Sequence, residues 1–202
     1  MNEQEWLQAT DPQPMLEFLR GRASDRKLRL FAVACCRRVW GRLVEEASRR
    51  AVTTAEDYAD GLASDAELDE ARLRAGWAEK WSGQPEAADA AAWTASREAG
   101  LLWVVTAARR TASVSQAALL RDILGNPFRP VTLDPAWLTW HDSLLVSMAR
   151  RMYESRDFTD MPVLADALEE AGCQDQNILG HCRSGGGHVR GCWVVDLLLG
   201  KE

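Results

Sequence analysis

The sequence has no apolar run long enough to cross a bilayer, only two tyrosines and three histidines, and an odd number of cysteines, five. The first absence argues against a membrane-spanning helix, which needs about 20 consecutive apolar residues. An odd thiol count at modest density argues against a secreted disulfide framework. The N-terminal stretch MNEQEWLQATDP lacks the basic segment and apolar core of a secretory signal. The expected location is therefore the cytoplasm, with reduced thiols. Also missing are a Walker-type phosphate loop, a dinucleotide-binding glycine motif, a zincin HExxH and a nucleophile-elbow GxSxG. No familiar catalytic signature points to an enzyme.

What is present is the composition of a globular protein. The 202 residues are 47% hydrophobic and 27% charged, enough to bury a substantial core in one domain, 1–202. Nine tryptophans are unusual for this length, and several must be buried with an acceptor for each indole N–H. The net charge of −6 argues against a dedicated nucleic-acid partner. Its distribution says more than its total. Residues 20–50 hold ten Lys/Arg against three Asp/Glu, whereas residues 51–100 hold four against eleven. Two neighbouring helical regions with complementary faces would account for both.

Nearly every segment reads as helix. Asp11-Pro12, Ser24-Asp25, Ser64-Asp65 with Glu67, Asp134-Pro135 and Asp175 are start signals, and Gly21, Gly61, Gly125 and Gly172 are stops. The clearest amphipathic pattern runs from Arg26 to about Arg50, with Leu28, Ala32, Val33, Cys35, Cys36, Val39, Trp40, Leu43 and Val44 on one half of the wheel. Arg26, Lys27, Arg37, Arg38 and Arg42 occupy the other half, a solvated face rather than a track for phosphates. Phe31 and Arg29 break that pattern. A further helix is expected from Thr53 or Thr54. An Ala/Trp-rich helical middle spans 64–112, including a helix from Glu86 to about Ala112 in which alanine permits close approach and tryptophan fills gaps. Asn126-Pro127-Phe128-Arg129-Pro130 forms the main irregular connection. Helices over about 141–155 and 162–171 follow. The apolar stretch Val189–Leu199 is either a buried helix or a short buried strand, and helical neighbours favour the first. The fold class is all-α: an irregular single-domain helical bundle with a long amphipathic central helix and a buried C-terminal element.

The C-terminal segment 173–200 concentrates the residues that can do chemistry. Cys173, His181, Cys182, His188 and Cys192 flank the run Gly185-Gly186-Gly187. Cys173, Cys182, His188 and Cys192 are the candidate metal ligands, with zinc the expected ion, because thiolates and imidazoles suit it. The glycine run could fold a loop around an ion through Cys182, His188 and Cys192, although no tight Cys-x2–4-Cys pair is present. The plainer alternative makes these cysteines small apolar core residues. A cysteine-dependent enzyme would pair Cys182 or Cys192 with His188 or His141, with loop amides as oxyanion donors.

At DPQPMLEFLRGRASDRKLRLFAVACCRRVW, LLRDILGNPFRPVTLDPAWLTW and HCRSGGGHVRGCWVVDLLLGKE the chain resembles an uncharacterised family of hypothetical proteins abundant in planctomycete bacteria. The resemblance implies a bacterial, intracellular, single-domain protein and carries over no activity, cofactor or site residue. The first functional expectation is a non-enzymatic helical interaction or regulatory module whose partner is another protein or a second copy. A small zinc-binding protein is the alternative, and a cysteine enzyme the third reading.

Overall fold

The structure, a computed structural model, describes residues 1–79, 85–96 and 116–201. Among them are twelve helices and no strand: α1 (Glu3–Gln8), α2 (Pro12–Leu19), α3 (Asp25–Arg38), α4 (Glu46–Ala59), α5 (Asp65–Glu79), α6 (Pro85–Thr94), α7 (Gln116–Leu124), α8 (Pro135–Thr139), α9 (Leu144–Ser155), α10 (Met161–Glu170), α11 (Gln176–Arg183) and α12 (Trp193–Leu199). The chain is all-α, and no described helix is long and apolar enough to cross a membrane.

The helix starts are chemical. Side-chain oxygens of Asp11, Ser24, Asp134 and Asp175 accept from the first free amides of α2, α3, α8 and α11, contacts worth about 1 kcal/mol each. Ser64 and Glu67 form a reciprocal box: Glu67 N–H donates to Ser64 Oγ, and Ser64 N–H to Glu67 Oε2. These amide and hydroxyl bonds hold the Glu67 carboxyl below its ordinary pKa. The end of α10 is equally specific. Gly172 (φ +92) donates to Glu169 O and Cys173 to Leu168 O, the paired bonds of a Schellman cap.

The helix expected from Arg26 to Arg50 is broken. It ends at Arg38, passes through a 3-10 turn at Trp40–Arg42, and resumes at Glu46 as α4, which therefore starts well before Thr53 or Thr54. Gly41 is a poor helix former, and the bend is fastened by contacts that hydrophobic periodicity does not encode. Arg49 Nε donates to the Leu43 carbonyl at 2.6 Å, and the guanidiniums of Arg37 and Arg49 sit 5.1 and 5.7 Å from the Trp40 ring. The surviving helix is central in a stronger sense than an amphipathic one, since every residue from Leu28 to Cys36 is buried. Arg29, which breaks the apolar pattern, is buried too, donating to the carbonyls of Thr94 (2.9 Å) and Ser96 (2.7 Å) at the end of α6.

Two compact units are present, Glu3–Leu120 and Arg121–Glu202. In the first, α3, α4, α5 and α6 pack around a core in which alanine predominates, from Ala51 and Ala55 on α4 to Ala87 and Ala91 on α6. The basic and acidic stretches meet there as complementary faces: Arg26 pairs with Asp60 at 3.2 Å, and Arg37 with the fully buried Glu56 at 2.6 Å. Tryptophan does not fill every gap. Trp6 is buried, but Trp77 on α5 is exposed; the helix expected to run to Ala112 ends at Thr94, and Trp81, Trp103 and the chain from 97 to 112 lie outside the described residues.

The second unit is a larger-residue core of Leu145, Met152, Met161, Leu164, Leu168, Ile178, Leu179, Val195 and Leu198. Here α9 packs on α12, and α10 on α11. Of the C-terminal apolar stretch Val189–Leu199, only Trp193–Leu199 is helix, α12, with Val194, Val195 and Leu198 buried; residues 189–192 form the turn before it. The Asn126–Pro130 connection is a turn, its Asn126 side chain accepting from Phe128 N–H at 3.0 Å. Helix α9 starts at Leu144 rather than 141 because His141, Asp142 and Ser143 all have positive φ (42°, 55° and 64°). An L-residue held left-handed costs roughly 1–2 kcal/mol. Ser143 also makes no capping bond to α9. Replacement by glycine should therefore relieve strain and lose no capping hydrogen bond. Ser143→Gly is expected to stabilise the protein by up to about 1 kcal/mol, read as a raised denaturation midpoint; a lowered midpoint would show the turn unstrained.

Candidate metal centre

Four side chains of the second unit converge from separate elements. Asp122 comes from α7, His181 from α11, His188 from the loop after it, and Cys192 from the residue that caps α12; one donor atom from each lies within 4.8 Å of every other. His188 Nδ1 is 2.7 Å from Asp122 Oδ1, and His181 Nε2 is 3.3 Å from the same oxygen and 3.2 Å from Cys192 Sγ. Cys192 Sγ is 3.9 Å from His188 Nδ1. The other carboxylate oxygen, Asp122 Oδ2, accepts from Val189 N–H at 3.0 Å, which turns Oδ1 toward the three other donors.

Local structure explains each placement. Helix α7 stops at Gly125, whose φ is +66 and where a Cβ would sit 3.1 Å from the Trp193 indole. Glycine is favoured there twice, by its positive φ and by the close approach of the ring. Trp193 in turn lies 5.3 Å from the His181 ring, which is 4.8 Å from the His188 ring and roughly perpendicular to it. Beyond the loop, Arg190 stacks over the Tyr153 ring of α9 at 4.6 Å, and Lys201 approaches the same ring at 4.9 Å. These contacts fix the chain on either side of Cys192.

The centre is screened from water. Only 16% of the His181 side chain is accessible, 10% of Asp122 and 5% of His188, and Cys192 is fully buried. Burial alone would raise the Asp122 pKa, but hydrogen bonding to His181 and His188 and the attraction of their charge outweigh it and hold the carboxyl below its usual range. His188 Nε2 is buried with no hydrogen-bond partner among the described residues, so the ring's polar contacts run through Nδ1.

Of the four ligands expected from sequence, the fold brings His188 and Cys192 together, and Cys173 and Cys182 are not part of the group. Cys173 is the buried residue just after the Schellman cap of α10, and Cys182 shares the core-facing side of α11 with Ile178 one turn earlier. Asp122 and His181 take the other two places. The adjacency of His181 and Cys182 on one helix is the signal that sequence offered, since neighbours about 100° apart cannot both face one point. Asp122 had only a faint signal, an acid within the apolar string LLRDIL. His141, considered as a base, is exposed beside the Trp140 ring at 4.3 Å.

No protein-family model, curated protein or solved structure matches this chain. The geometry therefore carries the functional reading alone.

A nucleophilic cysteine must meet its substrate as a thiolate. Burial pushes Cys36 and Cys182 up to about 12 and Cys35 and Cys192 well above the ordinary thiol value. At pH 8 a thiol of pKa 12 is ionised in only about one molecule in ten thousand. Native protein should accordingly show no fast-reacting thiol toward an aromatic disulfide reagent at pH 8, and all five on denaturation; one rapidly modified cysteine in the folded state would restore the nucleophile.

Proposed function

We propose that this chain is a metal-binding helical protein whose centre holds one zinc ion through Asp122, His181, His188 and Cys192. A single observation supports the reading: donor atoms from α7, α11, the glycine loop and the start of α12 lie within 4.8 Å of one another. A tetrahedral zinc site with bonds of 2.0–2.3 Å separates its ligand atoms by about 3.3–3.7 Å. Four of the six separations, 2.7, 3.2, 3.3 and 3.9 Å, bracket that range, and all six lie within 4.8 Å.

The donor set selects the ion. Two imidazoles, one thiolate and one carboxylate suit a borderline-soft cation, whereas magnesium and calcium prefer oxygen throughout. Four protein donors fill a tetrahedral shell and leave no position for a substrate, the arrangement of a structural site. The ion's contribution would be a cross-link between α7, α11 and the start of α12. Val189 N–H orients the carboxylate, and Trp193 backs His181. The interaction-module reading has one feature in its favour, exposed Leu73 and Trp77 one turn apart on α5; the metal reading has four converging donors and is preferred.

Cobalt(II) tests it. Stoichiometric binding should give the intense visible bands of a tetrahedral ion and a near-ultraviolet thiolate-to-cobalt band. Cys192→Ser should abolish the thiolate band, and Cys182→Ala should leave it in place. Zinc at about 100 times its dissociation constant should stabilise the fold by roughly 2.7 kcal/mol. Absence of stoichiometric metal, or a thiolate band that survives in the Cys192→Ser protein, would overturn the assignment.

A further inference from the structure

The buried centre raises a question of access, since none of its four ligands is more than 16% exposed. The loop that carries His188 supplies an answer. Its two ends are anchored. Ser184 Oγ donates to the His181 carbonyl at 2.6 Å, and Arg183 pairs with Asp166 and Glu169 on α10. On the far side Arg190 stacks on Tyr153, and Cys192 N–H donates to Val189 O at 2.9 Å. Between these anchors Gly185, Gly186 and Gly187 are exposed.

Gly185 and Gly186 are not required by the closed conformation. Neither has a positive φ. A Cβ built on Gly185 meets nothing within 4 Å, and one on Gly186 meets only Ser184 Oγ at an ordinary 3.6 Å. Gly125 and Gly172 have positive φ, and Gly125 is also pressed against an indole; Gly185 and Gly186 have no such reason to lack a side chain. What remains is the freedom that glycine gives a chain that must adopt more than one conformation. The loop's hold on the centre is also local. His188 Nδ1 and Val189 N–H both bind one carboxylate, that of Asp122. Release from that one side chain breaks both bonds at once.

We propose that Gly185 and Gly186 are the hinge of a small lid, residues 185–188, that swings His188 off Asp122 to admit and release the metal ion. The inference rests on the zinc reading above and adds its route of exchange. Asp122, His181 and Cys192 remain on α7, α11 and the start of α12 as a three-donor cradle, and His188 closes it last.

Zinc exchange kinetics test the lid. Alanine at a hinge position narrows the open ensemble and leaves the closed one intact, which should slow opening by about two- to five-fold per glycine. The double variant Gly185→Ala/Gly186→Ala should therefore take up zinc, and yield it to a chromophoric chelator, roughly ten-fold more slowly than the wild type. Its equilibrium affinity should stay within about two-fold, because both end states are closed, and its melting temperature should not fall. Hydrogen exchange in the unsubstituted protein gives a second readout: the Val189 amide should exchange well before the amides of Val195 to Leu198. Zinc bound at one equivalent with unchanged rates in the double variant, or a Val189 amide as protected as α12, would overturn the lid and leave the metal site standing. Failure of the wild type to bind zinc would remove both.

Discussion

Asp122 is the constraint around which the second unit is arranged. An ionised carboxylate removed from water costs several kcal/mol even after relaxation, and bonds to a charged group return roughly 1.5–3 kcal/mol each. One donor cannot offset that cost; the structure supplies three, from His188, His181 and the Val189 amide. Meeting this requirement draws the loop after α11 and the start of α12 toward the end of α7. The close packing of the Trp193 indole on Gly125 sets how closely they approach. The thiol of Cys192 then falls into contact with the same imidazole nitrogen that faces the carboxylate. Asp122, His181 and His188 belong both to the network that neutralises a buried charge and to the group that could hold a cation.

The first unit meets a similar demand by other means. Glu56 is fully buried, and the Arg37 guanidinium reaches it in two bonds at 2.6 and 3.1 Å. Arg29 spends its charge on backbone carbonyls at the end of α6, where a cation also opposes the helix dipole. Alanine at the contacts of α4, α5 and α6 lets these helices approach closely. Neither unit uses a disulfide, and all five thiols are free and buried.

Much of this was legible in the sequence because helix ends are local chemistry. Asp11, Ser24, Ser64 with Glu67, Asp134 and Asp175 announce starts within four residues, and each makes the bond expected of it. The break after Arg38 was not legible, because the apolar pattern continues through it. What ends the helix is Arg49 reaching back to a carbonyl and two cations over one indole. The left-handed turn at His141–Ser143 is equally hidden, since none of its residues is glycine. At the centre, His188 and Cys192 could be read from residue type around a glycine loop. The type of Cys182 suggests a ligand, whereas its helical phase, in step with Ile178, places it in the core. Asp122 is 66 residues from His188, and no local spacing can reveal such a partner.

The central claim is that one ion sits among one sulfur, two nitrogens and one oxygen. X-ray absorption at the zinc edge of the metal-loaded protein measures that shell directly. The account predicts four-coordinate zinc with one sulfur at about 2.3 Å and three nitrogen or oxygen neighbours at about 2.0–2.2 Å. A shell with two or more sulfurs would move the site to the thiols of the core, and a six-coordinate shell of light atoms alone would contradict it outright.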